Sequence, residues 1–464
     1  MARNATIHSC SECGFQSAQW HGRCPGCEAW NSLVEERAAA PSGDTRRRAA
    51  PRRASRPLVE VGAAAVKRMS TGIGELDRVL GGGLVPGSLV LLGGSPGIGK
   101  STLTNMVLGH LQQSGHRTLY VSGEESAEQV RLRAERLGDS SPAHEVNPAL
   151  QVPVLAETDL EAILDTLAAE APQACVIDSV QTLRAAELSG APGSVGQVRE
   201  AAARIMALAK AQGIAVILVG HVTKDGALAG PRVLEHLVDC VLQFEGERER
   251  PYRELRALKN RFGSTNEAGL FEMRQRGLVE VLDASARFVA EATRAPGSVV
   301  LAAMEGSRPL LVEVQALVAP SELEQPRRVV SGIDRNRLAL VLAILGRHGG
   351  VGTGGSDVFV NVVGGVRVDE PGCDLAVALA VASASRGVAL SGTPRACFGE
   401  LGLTGELRWV GHPERRLAEA AKHGCGAVIA PLDSGRDACE VATLRQALGA
   451  ALPAPARRPA QAAA

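Results

Sequence analysis

The sequence predicts an α/β fold: a mostly parallel sheet with crossover helices over residues 58–284, a small cysteine-rich ribbon before it (1–34), and a second globular unit of α+β character after it (285–450). Three observations carry this. Short apolar runs alternate with helix-period segments in the middle of the chain, the pattern of strands joined by crossover helices. Two CxxC pairs fall close together near the start. After residue 285 a fresh series of strand-like and helix-like segments begins.

Composition sets limits. A chain of 464 residues suggests two or three domains. With 52 glycines and 3% aromatic residues, the interior must be filled by aliphatic side chains in a loop-rich fold. Fifty basic residues balance fifty acidic ones, so global charge predicts no nucleic-acid binding and any such binding needs local patches. Only six of the basic residues are lysines, which gives an isolated lysine more weight than an arginine. There is no secretory signal and no apolar run of about 18 residues, so a cytoplasmic protein with no membrane partner is expected. Ten cysteines in such a chain argue for metal binding or free thiols over disulfides.

Along the chain, residues 35–57 hold three prolines and six closely spaced arginines (Arg46, Arg47, Arg48, Arg52, Arg53, Arg56) without apolar periodicity. This reads as a disordered linker, either a solvated tether or a basic arm able to touch phosphates. LVLLGG (89–94), TLYVS (118–122), ACVID (174–178) and IAVILVG (214–220) read as strands. Residues 101–115, 125–138 and 195–213 read as helices, and VLQFEGE with RELRALKN as antiparallel strands at the sheet edge. In the second unit, 358–368 predicts a strand pair, 375–387 a buried helix and 397–408 a hairpin. Residues 451–464 read as a frayed tail.

Gly94-Ser95-Pro96-Gly97-Ile98-Gly99-Lys100-Ser101 matches G-x-x-x-x-G-K-[ST], between an apolar strand and a helix, with Thr102 following. In that setting the glycines let backbone N–H groups wrap phosphates, and the helix adds its N-terminal dipole. ATP and Mg²⁺ are the implied cofactors: Lys100 would neutralise the β- and γ-phosphates and Ser101 would ligate the metal. Asp178, ending its apolar strand, is the candidate magnesium-facing acid, or else an ordinary strand-end aspartate. Glu124 and Glu125 follow strand TLYVS at the carboxyl edge, where ligands gather in such sheets. Glu124 is the favoured catalytic base; both glutamates also suit the first turn of a helix. His221 could sense the γ-phosphate or be structural. Segments 184–198 and 223–232 read as two flexible loops on one sheet edge.

Cys10-x-x-Cys13 and Cys24-x-x-Cys27, ten residues apart, can close a tetrahedral Zn²⁺ site. A ribbon with so little core would draw its stability from the metal.

Together these features resemble the bacterial RadA (Sms) family of DNA repair ATPases over nearly the whole chain. The resemblance rests on GRCPGCEAWN (22–31) within the ribbon, STGIGELDRVLGGGLVPGS (70–88), and Lys259-Asn260-Arg261-Phe262-Gly263, which matches the family signature KNRFG. It implies a RecA-like P-loop core between a zinc ribbon and a Lon protease-like domain. It also implies a homo-hexameric ring that loads on single-stranded DNA, uses ATP to drive branch migration of recombination intermediates, and partners RecA recombinase. Lys259 and Arg261 would then be catalytic, reaching ATP at the adjacent subunit. The Lon family uses a Ser–Lys dyad. The matching stretches here are Glu370–Leu375, with Cys373 and Asp374 near the nucleophile position, and Pro413–Arg416. The first holds no serine and the second no lysine, and an arginine cannot readily serve as a base. An inactive scaffold is expected. Two other classes stay in view: a KaiC-like regulatory ATPase switch and an ATP-dependent protease.

Overall fold

The computed structural model describes residues 6–10, 15–26, 28, 30–37, 67–137, 147–188, 190–222, 228–229, 233–246, 252–275, 277–293, 295–391 and 396–452. Most of the linker and nearly all of the tail read from the sequence lie outside these. The chain divides into two compact units, Met1–Glu280 and Val281–Ala464, where the sequence reading places the division at 284–285.

The N-terminal strands β1 (Thr6–Cys10), β2 (Gln16–Ser17) and β3 (Leu33–Arg37) form an antiparallel ribbon in the order β2-β1-β3. Its buried cluster is Cys10, Cys24 and Leu33.

The large sheet is built on β4 (Leu89–Gly94), β5 (Thr118–Ser122), β6 (Val154–Ala156), β7 (Ala174–Asp178) and β8 (Ala215–Val219). Strands β9 (His221–Val222) and β10 (Leu228–Ala229) pair separately. β11 (Cys240–Glu245), β12 (Tyr252–Asn260), β13 (Ala268–Arg274) and β14 (Gly277–Glu280) complete the order β14-β13-β12-β11-β4-β8-β7-β5-β6. Pairing is parallel from β11 to β6 and antiparallel from β11 to β14. In β4, Val90 and Leu92 join one apolar cluster while Leu89 and Leu91 join another. In β7, Val176 and Ile177 divide the same way. A sheet buried on both faces needs continuous apolar strands, which is why these read as unbroken runs.

The helices of this unit are α1 (Gly74–Leu80), α2 (Lys100–Gln113), α3 (Ala127–Arg136), α4 (Leu160–Glu170), α5 (Val195–Gln212) and the short α6 (Val233–Leu237). The three helices read from the sequence are α2, α3 and α5. The elements α1, β6 and α4 have no counterpart in that reading. One expectation changes: β11 is no edge strand but pairs with β4 in parallel, because residues on both of its faces are buried. The edge passes to β14. The 184–198 loop is also shorter and more constrained than expected. Helix α5 begins at Val195, and its buried Gln197 side chain donates to the carbonyls of Ala185, Leu188 and Gly190 at 3.2, 3.1 and 3.0 Å.

The second unit has α7 (Ala284–Glu291), β15 (Ser298–Glu305), β16 (Arg308–Pro320), β17 (Arg328–Ser331), α8 (Arg335–His348), β18 (Ser356–Val362), α9 (Asp374–Arg386), β19 (Ala396–Cys397), β20 (Glu400–Leu401), β21 (Leu407–Arg408), α10 (Pro413–Lys422), β22 (Val428–Ala430), β23 (Ala438–Glu440) and α11 (Leu444–Ala451). Its mixed sheet runs β17-β18-β16-β15-β19-β22-β23, and β20 with β21 is the expected hairpin. The expected buried helix is α9, whose residues from Asp374 through Ser383 are all buried. The strand pair expected over 358–368 is instead one strand, β18, followed by a turn. Gly364 breaks it: its φ is +85°, and a Cβ there would lie 2.3 Å from the Phe288 ring.

Arg416 is the largest side chain in this interior, 1% exposed. Its guanidinium donates to Glu370 Oε1 at 2.8 Å, to the Ala302 carbonyl at 2.7 Å and to the Gly411 carbonyl at 3.0 Å, and it stacks over Phe398. Removing one partner of such a pair strands the other's charge. Arg416→Ala should therefore destabilise this unit by about 3–5 kcal/mol, read as an earlier urea transition of the full chain's C-terminal unit.

Candidate functional site

The glycine-rich loop leaves the carboxyl end of β4 and enters α2. Gly94, Gly97 and Gly99 have φ of 156°, 76° and 119°. At Gly99 a Cβ would also meet Met273 Cε at 2.7 Å, so both conformation and space require glycine. The loop thus runs through left-handed backbone into a helix whose first residue is Lys100, the setting in which backbone N–H groups can cradle an anion. Lys100 is buried, and its Nζ donates to the carbonyls of Gly94 at 2.8 Å and Ser95 at 3.1 Å. Burial lowers its pKa, while Asp178 and Glu124 pull it back up.

Ser101 begins the first turn of α2, and its Oγ donates to Asp178 Oδ2 at 2.6 Å. Asp178 ends β7, two strands away from β4 in the sheet order. Residues 77 positions apart are thus brought together at the carboxyl edge. The two glutamates after β5, of which the sequence favours Glu124, have different partners. Glu125 pairs with Arg133 of α3, whereas Glu124 accepts a hydrogen bond from Ser179, next to Asp178. Glu124 therefore shares the Lys100–Asp178 environment.

Sequence reasoning missed Tyr120. It is 1% exposed on β5, and its hydroxyl donates to the same Asp178 Oδ2 at 2.7 Å. A signal existed: the chain has two tyrosines, and this one interrupts a buried strand, where its hydroxyl must find a partner.

Lys259 and Arg261 do not join this cluster. The register pairs Phe244 with Gly94 but Cys240 with Asn260, so they lie at the opposite edge of the sheet, about 13 Å down β11 from the loop. Lys259 Nζ donates to the carbonyls of Glu235 and Val238 at 2.6 and 2.8 Å, and Arg261 pairs with Asp239 at 3.0 Å. His221 lies in β9, directly after β8; the side chain of His221 and most of segment 223–232, including Lys224, are outside the described residues.

In the ribbon, Cys10 at the end of β1 and Cys24 before the turn at 25–26 come together. The Gly26 N–H donates to Cys24 Sγ at 3.3 Å, as suits a thiolate ligand. Cys13 and Cys27 lie outside the described residues. The two visible cysteines fit a metal site whose other ligands they would supply.

In the second unit, Cys373 is fully buried at the start of α9, and burial pushes its thiol up to about 12. Asp374 pairs with Arg337 at 2.8 Å and accepts from the Leu401 N–H at 3.1 Å. No described residue here combines a reactive nucleophile with a free base.

A family model described as the KaiC ATPase matches residues 69–285, and one described as a rubredoxin metal binding domain matches residues 8–35. Among relatives, the DNA repair protein RadA of Pseudomonas aeruginosa is 51% identical over 460 residues, covering 97% of this chain and 99% of that one. The DNA repair protein RadA of Bacillus subtilis is 47% identical over 439 residues, covering 93% of each chain. That of Listeria monocytogenes is 49% identical over 436 residues, again covering 93% of each. The large first unit thus has a RecA-like ATPase core, with a zinc ribbon before it.

With a pKa of about 12, roughly one Cys373 thiol in ten thousand is ionised near pH 8. Iodoacetamide should leave Cys373 unlabelled in the native chain and label it fully in denaturant, as peptide mass spectrometry reads out. Rapid native labelling would revive it as a nucleophile.

Proposed function

The chain belongs to the family of the DNA repair protein RadA, and from that premise we propose that it is a DNA-dependent ATPase of recombination and repair. It binds single-stranded DNA as a ring and uses ATP hydrolysis to promote branch migration. The observation that carries the ATPase part is the 2.6 Å hydrogen bond from Ser101 to Asp178 beside the buried Lys100. A phosphate loop, its magnesium serine and an acid from a distant strand converge as Mg·ATP hydrolysis requires.

In this reading the loop Gly94–Thr102 wraps the phosphates, and Lys100 offsets their charge. Ser101 and Asp178 would hold Mg²⁺, which neutralises charge on the phosphate oxygens. Glu124 orients the attacking water. Lys259 and Arg261, too far from the loop of their own chain, complete the site of a neighbouring subunit, so turnover depends on assembly into a homo-hexamer. RecA recombinase and branched DNA are the partners, and the setting is cytoplasmic. Cys10, Cys13, Cys24 and Cys27 hold a structural zinc. The second unit is a proteolytically inactive, Lon-like scaffold.

The KaiC match over residues 69–285 supports a second reading, a regulatory ATPase that phosphorylates itself. Label retained on the protein from γ-labelled ATP would favour it.

The deciding experiment measures ATP turnover with and without single-stranded DNA, alongside the mass of the assembly in solution. Turnover should rise with DNA, Lys100→Ala should abolish it, and binding should weaken steeply with salt. Wild-type turnover in Lys100→Ala, or no DNA binding at low salt with nucleotide present, overturns the reading. Glu124→Gln should lower kcat by roughly 10²–10⁴-fold, while Glu125→Gln should change kcat far less.

A further inference from the structure

Asp178 is held from two sides by hydroxyls. Ser101 and Tyr120 both donate to Oδ2, at 2.6 and 2.7 Å. Ser101 belongs to the loop-helix junction that meets the nucleotide. Tyr120 belongs to the sheet, and the strand register fixes its place: Tyr120 pairs with Val176 and Ser122 with Asp178. Its ring is packed into the apolar cluster between sheet and helices, so the phenol has almost no freedom to turn.

The direction of the Tyr120 hydrogen bond is also fixed. Arg133 of α3 lies near enough to the phenol to act on it electrostatically. A carboxylate only accepts. The hydroxyl therefore must point its proton at Asp178. Arg133 is anchored in turn by Glu125. Tyr120, Asp178 and Ser101 thus form a hydrogen-bonded series from β5 across β7 to α2, with the Arg133–Glu125 ion pair beside it.

We propose that Tyr120 is a positioning residue for the magnesium site: its hydroxyl, backed by Arg133, holds Oδ2 of Asp178 and thereby aims the carboxylate at the metal ligated by Ser101. The inference rests on the ATPase reading above. Tyr120 itself touches neither nucleotide nor metal. A carboxylate that has lost one of two fixed donors pivots, and outer-shell partners of this kind typically tune metal affinity or activity about 10–100-fold.

The test is Tyr120→Phe in the full-length protein, which deletes one oxygen and keeps the buried ring. Turnover is followed as Mg²⁺ is titrated at fixed ATP, with Mn²⁺ in parallel. The half-saturating Mg²⁺ concentration should rise about tenfold, and excess metal should restore most of kcat. Binding of a fluorescent ATP analogue in EDTA should match wild type, because the phosphate loop and Lys100 are untouched. An unshifted metal titration with wild-type kcat overturns the proposal. So does an equal loss of metal-free nucleotide binding, which would make Tyr120 part of the general scaffold. Thermal unfolding separates a misfolded variant; in that case Arg133→Gln, which keeps the Tyr120 hydroxyl but removes its backing charge, should give a smaller shift of the same sign, and no shift overturns the proposal. If the wild-type chain hydrolyses no ATP, it is the ATPase reading that fails, before either variant is made.

Discussion

The hydrogen bond between Ser101 and Asp178 is the constraint on which the large first unit turns. It joins the first turn of α2 to the end of β7, and it can form only if β8 lies between β4 and β7 in register. That register pairs Leu92 with Val219 and Asp178 with Val219, so the loop and the acid end at the same level. Covering the sheet on both faces leaves polar chemistry to the strand ends, and in open parallel sheets ligands gather at the carboxyl edge. The buried apolar strands and the site are thus one arrangement: the first fixes the spacing that the second uses.

The same sheet separates functions by its two ends. Loop, Asp178 and Glu124 gather at the carboxyl edge of the parallel strands. Because β12 returns antiparallel beside β11, Lys259 and Arg261 are carried to the far edge. There Lys259 binds the carbonyls that end α6 and Arg261 binds Asp239. Within one chain these cations are structural. A catalytic role for them requires a second subunit, and their carbonyl and carboxylate partners would have to be exchanged for phosphate, whose charged oxygens make stronger hydrogen bonds to a cation than neutral carbonyls do.

Much of this was legible in the sequence because its causes are local. Phosphate loops need glycine at fixed positions, CxxC pairs need two residues between thiolates, and β4, β5, β7 and β8 betray themselves as apolar runs. What was not legible depends on pairing. Nothing local says that β11 joins β4 and leaves the edge to β14. The sequence favours Glu124 over Glu125, but only the fold gives Ser179 to the first and Arg133 to the second. Tyr120 was hidden for the same reason: its partner lies 58 residues away. Gly364 was misread because GG within a β-rich run suggests a turn between two strands, whereas here contact with Phe288 ends the strand and no partner follows.

The second unit uses its buried polar groups to hold its own framework. Around α9, the polar groups that could do chemistry are consumed by packing. Arg416 spends its donors on Glu370 and two carbonyls, and Glu370 in turn accepts from the Met304 N–H at 2.7 Å. Asp374 is closed by Arg337 and the Leu401 N–H, and Cys373 is sealed away from solvent. A hydrolytic dyad needs the opposite: a nucleophile open to substrate and a base able to release a proton. An arginine paired on three sides can do neither, yet it knits β15, the turn before α9 and α10 into one rigid body. Such a unit is suited to holding geometry.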